Sequence, residues 1–394
     1  MSSISNDKQK KRVLAIVETS REFGRKLIEG ISQYATEYKN WNLFLYDHDA
    51  ASQNVRRLDD WNGDGIIVRI FNENLNQFFH KFPGKKINLA ADDKEFPVQV
   101  RLNNEKCGQM AAEHFWERGY HHFAYFSVGH TYWSQFRYNC FITALKEYDS
   151  SCFLCPQAEQ ENSTTLPTLW QSGLDDSVLQ WIKSLPKPIG IFCANDHHAF
   201  YLTSLCRSYE IGIPEEIAVL GVDNDESLCK AMTPSLSSID PNAKQIGYRA
   251  AEILNAMMNE MPLPRFPVIV DPLCNVVRQS TDNIAVNDPI LNKALRFIRV
   301  EVVQNLRVND VVREVGVSRG TLNNLFQKHL RSTPLKEILR VRMEWAKELL
   351  RDTQFPITEI SQMIGYQTPE YFSRAFTREV GSTPRDYRTE HQKR

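Results

Sequence analysis

The chain has 394 residues, 42% of them hydrophobic and 24% charged, with a formal net charge of −1, which is the composition of an ordinary globular protein of two or three domains and excludes disordered, collagen-like and coiled-coil classes. Apolar runs such as 190–194 and 267–270 fall far short of the roughly 18 residues that cross a bilayer, so no membrane partner is expected. The polar stretch 1–8 has no apolar core of the kind a secretory signal needs, and the expected location is the cytoplasm.

Along the chain, 13–17 reads as a buried strand, followed by a helix over 23–38 in which Phe23, Leu27, Ile31 and Tyr34 recur at helical spacing. Residues 43–46 predict a strand, 56–61 a helix and 65–70 another strand. The alternation starts afresh at 122–127 and continues through a helix over 136–148, a strand at 189–194, a helix over 197–209 and a strand at 218–222. Strands divided by helices imply parallel sheets covered on both faces, here two α/β lobes over 11–280, the second beginning near 118. Ligands of such sheets bind beyond the carboxyl ends of the strands. The residues there are Thr19, Ser20, Arg21 and Glu22; Arg69 and Phe71; Gly129, His130, Thr131, Tyr132 and Trp133; Asn195, Asp196 and His197; and Asp223, Asn224 and Asp225. Short carboxylates, amides and arginines pair with hydroxyls, and aromatic rings cover C–H faces, so the set suits a sugar. Strand-end Asp and Asn can also be plain helix caps.

Eight cysteines, all before residue 288, are scattered in a chain too large to need disulfides, and reduced thiols are expected. The close pair Cys152 and Cys155 lacks the further thiols or imidazoles of a zinc site, and the doublets His121-His122 and His197-His198 lack partners at ligand spacing. Gly63-Asp64-Gly65 reads as a tight turn. No nucleophile elbow, phosphate loop, dinucleotide fingerprint or zinc-protease motif is present. The expectation is a non-enzyme with no cofactor and no metal.

From Asp288 onward there are 19 Lys and Arg against 13 Asp and Glu, whereas the preceding part has 28 against 35. A basic module therefore follows an acidic body, joined by a polar linker over 281–288, with Asp288 as cap and Pro289 as first residue of a helix. Within 289–394, Val311, Val312, Val315, Val317, Leu322, Leu325 and Phe326 form the apolar side of two short helices around a turn at Gly316, with Ser318 capping the second. A long amphipathic helix over 335–350 follows, and the unit repeats: helix 357–364, turn Gly365-Tyr366-Gln367, helix 368–377. That is a pair of helix-turn-helix units, a fold that binds double-stranded DNA.

Two resemblances add to this reading. Phe192-Cys-Ala-Asn195-Asp196, Val219-Leu-Gly221-Val-Asp223-Asn224, Pro234-Ser-Leu-Ser-Ser238 and Gly247-Tyr-Arg-Ala-Ala251-Glu-Ile-Leu254, taken with the second lobe, and Gly63-Asp-Gly65 in the first, resemble LacI-type sugar regulators and periplasmic binding proteins. The resemblance implies that Arg137, Asn195 and Asp223 hold ligand hydroxyls, joined by Arg69, Trp133 and Arg21 from the strand-end set. Residues 357–388, with Gly365-Tyr366, Tyr371-Phe372, Arg374, Phe376, Gly381 and Pro384, resemble the AraC-type DNA-binding domain. That resemblance implies base-reading positions at Asn323, Asn324, Glu370, Tyr371 and Arg374, with Ser318 and Arg319 at the start of the first recognition helix. Gly320 stands where the family often has a larger side chain. Arg319, Arg340, Arg342 and Arg378 are candidates for phosphate contacts. The order of the two modules resembles that of xylose-operon regulators, which implies a sugar-responsive transcription activator of promoter or operator DNA. Its effector is expected to be xylose or another pentose, and its partners a second copy of the chain and RNA polymerase. The alternative is a transport or chemotaxis receptor, which predicts a signal peptide and no basic helical tail.

Overall fold

The computed structural model describes residues 10–47, 58, 60–69, 73–89, 98–129, 131–156, 174–286, 288–302 and 306–391. They form two compact units, one ending at Asn283 and the other beginning at Ile284. In the first unit, β1 (Lys11–Val17), α1 (Glu22–Tyr38), β2 (Trp41–Asp47), β3 (Gly65–Val68), α2 (Glu73–Lys81) and β4 (Lys85–Asn88) follow one another. They build a four-stranded sheet in the order β2-β1-β3-β4, parallel throughout. Val13, Ala15, Ile16 and Val17 are fully buried, the continuous apolar run of a parallel strand covered on both faces. The helix expected over 56–61 lies mostly outside the described residues, where Leu58 and Asp60 are turn residues.

The chain then passes through β5 (Val100–Leu102) into α3 (Asn104–Trp116), which packs along α4 (Tyr132–Leu145). The second lobe therefore begins at α3, ahead of residue 118. Its sheet contains β6 (Phe123–Phe126), β7 (Cys152–Leu154), β8 (Ile189–Cys193), β9 (Ile217–Val222), β10 (Ser237–Ile239) and β12 (Asn275–Val276), in the order β12-β10-β9-β8-β6-β7. Only the β10–β12 pairing is antiparallel among these. Helices α5 (Leu174–Ser184), α6 (Asp196–Ser208) and α7 (Glu226–Ala231) lie between its strands in sequence.

The next helix, α8 (Ala243–Met258), leaves this lobe and packs along α1. A Cβ on Gly247 would stand 2.1 Å from the Leu27 carbonyl oxygen, so the two backbones meet where only glycine fits. Grouping Gly247–Leu254 with the second lobe was thus incorrect: helical periodicity fixes which face is apolar, not which sheet covers it. After α8, β11 (Val268–Val270) pairs in parallel with β5, and these two strands carry the chain between lobes. Residue 281, placed at the start of the linker, is buried: Thr281 Oγ1 donates to Ser237 Oγ at 2.7 Å and meets His114 Nε2 at 2.8 Å.

The second unit is helical: α9 (Pro289–Glu301), α10 (Val308–Val315), α11 (Arg319–Leu330), α12 (Pro334–Asp352), α13 (Ile357–Met363), α14 (Pro369–Val380) and α15 (Pro384–His391). Asp288 caps α9 by accepting the Leu291 N–H at 2.9 Å, with Pro289 at the first turn. Leu291, Leu295, Ile298, Val311, Leu322, Phe326 and Ile338 form one core. Met343, Ala346, Leu350, Ile360, Phe372 and Phe376 form a second. Both lie along α12, and Trp345 packs against each. Leu325, expected in the core, is only half-buried.

Candidate functional site

The strand-end residues of both lobes converge on one cluster. Asp223 follows β9 with φ of +116°, a conformation L-residues rarely adopt. Its carboxylate receives no side-chain hydrogen bond from the described residues. Burial raises its pKa above the ordinary carboxylate value, and the guanidiniums of Arg137, Arg69 and Arg21 pull it back. Those three arginines come from different elements: Arg21 directly precedes α1, Arg69 follows β3, and Arg137 is on α4. A carboxylate held among cations without a hydrogen-bond donor of its own is an acceptor available to hydroxyls.

Each arginine is held in place. Arg137 is buried; its Nε donates to Asn104 Oδ1 at 2.9 Å, its Nη1 donates to the Ala194 carbonyl, and its guanidinium lies 5.5 Å from the Trp133 ring centroid. Arg69 lies 4.9 Å over the Phe23 ring and 4.0 Å from Glu18 Oε2, and burial lowers its pKa. Arg21 Nε is 3.7 Å from Glu18 Oε1. Phe23, grouped with the helix core by its spacing, is half-buried beneath Arg69. Among the described residues, ion pairs cross between the lobes from Arg25 to Asp225 at 3.6 Å and from Lys26 to Asp240 at 3.9 Å.

Asn195 shows the plainer of its two readings. Its Oδ1 caps α6, accepting from the His198 N–H at 3.1 Å and meeting His198 Nδ1 at 2.7 Å. That oxygen is engaged, so a hydroxyl contact through it is not what this geometry offers. Asp196 is fully buried, accepts from Ser238 Oγ at 2.6 Å and from the Asp225 N–H at 2.8 Å, and thereby pins the 223–225 turn. Burial, then the nearby Asp223 carboxylate, raises its pKa. His198 is buried and neutral, its pKa lowered by burial to about 3, with its ring beside Trp133 and Phe126. Phe71 and His130 lie outside the described residues.

Two residues of the cluster escape sequence reasoning. Glu18, buried and bridging Ser20, Arg21 and Arg69, directly follows β1; the strand-end reading began one residue too late. Asn104 carries no local signal, because it reaches Arg137 only through the chain's passage between lobes. A separate groove of about 350 Å³ beside α1 and α8, walled by Lys26, Glu29, Asp240, Lys244 and Tyr248, includes none of the strand-end arginines. Among the described residues no group of His, Cys, Asp and Glu could hold a metal ion, and no helix is long and apolar enough to cross a membrane.

In the second unit, Gly316 in the left-handed region turns the chain from α10 to α11, and Gly365 does the same between α13 and α14. Arg319, Asn323 and Asn324 on α11 and Glu370, Tyr371 and Arg374 on α14 are all exposed. Arg319, Asn323, Asn324, Glu370 and Arg374 make no side-chain hydrogen bond or ion pair with the described residues, while Tyr371 packs on Tyr366. Ser318 differs: its hydroxyl accepts the Thr321 N–H at 3.1 Å and caps α11. Arg342 donates to the Leu306 carbonyl and braces the unit, and Arg340 and Arg378 pair with Glu337 and Glu379. A Cβ on Gly320 would meet nothing closer than Ser318 Oγ at 3.8 Å, so that position is open space.

Residues 12–94 match the family described as XylR N-terminal domain, 112–281 the periplasmic binding protein-like domain, and 311–390 a helix-turn-helix domain. The xylose operon regulatory protein of Escherichia coli (strain K12) is 26% identical over 400 residues, covering 96% of each chain. That of Haemophilus influenzae is 26% identical over 387 residues, covering 96% of this chain and 98% of its own. The solved structure of a xylose-binding transcription activator superposes with a TM-score of 0.82 at 25% identity, covering 98% of this chain and 99% of that one.

Proposed function

Starting from a chain that joins a periplasmic-binding-protein-like receptor to an AraC-type helix-turn-helix domain, we propose that it is a sugar-responsive transcription regulator, an activator of xylose-utilisation genes. The observation that carries this reading is collinearity: relatives that regulate xylose operons match from receptor to DNA reader across 96% of the chain. The effector sits among Arg21, Arg69, Trp133, Arg137 and Asp223, with Glu18 orienting the first two. Asp223 supplies hydroxyl acceptors, the guanidiniums supply donors, and the Trp133 ring supplies an apolar face. Asn195 serves that site through its cap.

The DNA surface consists of Arg319, Asn323, Asn324, Glu370, Tyr371 and Arg374. Asn pairs with adenine N6 and N7, and Arg with guanine O6 and N7. The full chain acts in the cytoplasm as a homodimer, recruits RNA polymerase and performs no catalysis. The test is a gel shift of the full chain on the DNA upstream of neighbouring sugar genes, alongside calorimetry with D-xylose, L-arabinose and D-ribose. Specific retardation and heat with one pentose are expected; binding no better than to unrelated duplex would defeat the reading. A transport receptor would bind the sugar and leave the DNA unshifted.

A further inference from the structure

Helix α3 has a partner of special interest at each end. At its first residue, Asn104, buried, holds the Nε of Arg137 at 2.9 Å. Beside it, Asn103 caps the helix through Lys106 N–H and donates from Nδ2 to Asp271 Oδ1 at 2.7 Å, while its backbone N–H bonds the Val270 carbonyl of β11. The start of α3 is therefore planted on the two-stranded crossing and touches the arginine facing Asp223. In its last turn, His114 Nε2 meets Thr281 Oγ1 at 2.8 Å. One turn further, Arg118 Nε donates to the Thr281 carbonyl at 3.0 Å and Nη1 to the His114 carbonyl at 3.1 Å. Thr281 and Asp282 are the residues from which the chain leaves the first unit, which ends at Asn283.

Between these ends the helix is stiffly mounted. A Cβ on Gly108 would lie 2.7 Å from the backbone of Cys140 on α4, so α3 and α4 meet backbone to backbone. The Asn275 Nδ2 on the returning strand β12 donates to the Met110 carbonyl at 3.2 Å. A helix of 13 residues is about 20 Å long. It spans that distance as one rigid element with a side-chain lock at each end.

We propose that α3 couples the effector site to the root of the connection between the units: Asn104 positions Arg137, and His114 with Arg118 fix Thr281. A shift of Arg137 against the helix start is then delivered at Thr281. The proposal rests on the reading of Arg137 as an effector residue. His114 and Arg118 are positioning residues here, since they act through Thr281 and touch no effector.

The test uses the full chain and four variants, Thr281→Val, Thr281→Ser, His114→Leu and His114→Gln. Each is titrated calorimetrically with D-xylose and, by anisotropy, with operator DNA in the presence and absence of D-xylose. Thr281→Val and His114→Leu should keep the xylose affinity within about two-fold but lose most of the xylose-induced change in DNA affinity, which for such couplings is roughly 5- to 150-fold. Thr281→Ser and His114→Gln, which keep a polar atom at each position, should retain it. A full-sized response in both Thr281→Val and His114→Leu would overturn the role of α3 while leaving the regulator reading intact. A wild-type chain whose DNA affinity ignores xylose would overturn that reading and this coupling with it.

Discussion

In the proposed effector site neither Asp223 nor Arg137 is satisfied by ordinary surface solvation: the first is a buried carboxylate that receives no side-chain hydrogen bond from the described residues, the second a buried cation held by Asn104 and Ala194. On that proposal, removing either leaves an effector hydroxyl facing an absent partner, a loss of about 1–3 kcal/mol and more when the missing group is charged. Arg137→Ala and Asp223→Ala should each weaken effector binding by roughly ten-fold or more on this scale, as calorimetry would read; wild-type affinity in both would remove these residues from the site. The two buried histidines give a second expectation. Burial lowers the pKa of His114 and of His198 to about 3, so the folded chain binds fewer protons than the unfolded chain below the ordinary histidine value. Their stabilisation is complete above about pH 6.5 and falls on acidification by roughly 1.4 kcal/mol per pH unit for each residue. Urea unfolding between pH 5 and 8 should show this slope, and His114→Gln should reduce it. At this scale the sequence pointed to Arg21, Arg69, Trp133 and Asp223 through their places beyond strand ends, and to Arg137, inside α4, only through the family resemblance. It concealed Asn104, whose partner is 33 residues away, and it left Asn195 open between cap and ligand contact because both uses want the same side chain at the same place.

Strands and helices were legible wherever an apolar run was local: β1, β3, β6, β8 and β9 lie within a few residues of the expected strands, and both helix-turn-helix pairs form around their glycine turns. The assignment of helices to lobes was not, because the chain passes between the lobes at β5 and β11 and helical periodicity does not say which sheet an apolar face covers. The close approach at Gly247 makes α8 part of the first lobe, and a methyl group there must force the α1 and α8 backbones apart. Gly247→Ala should destabilise the receptor by about 1–3 kcal/mol, the usual cost of overpacking. Gly320→Ala, exposed on α11 with nothing near its Cβ direction, should be neutral or stabilising by up to about 1 kcal/mol through helix propensity. Thermal unfolding of the two variants side by side decides between these assignments; equal melting points would contradict the packing of α8 on α1.

Over the whole molecule, an acidic two-lobed receptor precedes a basic DNA reader, and the charge division seen in the sequence falls near the division into compact units at Asn283 and Ile284. Among the described residues, strand-end groups of both lobes meet in one cluster and the ion pairs Arg25 to Asp225 and Lys26 to Asp240 join the lobes, so an effector at the proposed site among Arg21, Arg69, Arg137 and Asp223 would bind the lobes to one another. Linkage then requires that whatever changes effector affinity through DNA changes DNA affinity through effector by the same factor. The most direct test is an anisotropy titration of a labelled operator duplex with the full chain, with and without saturating D-xylose, in wild type and Arg137→Ala. The account predicts that xylose shifts the wild-type Kd by at least about five-fold and leaves that of Arg137→Ala unchanged. Superimposable wild-type curves with and without the sugar would contradict it.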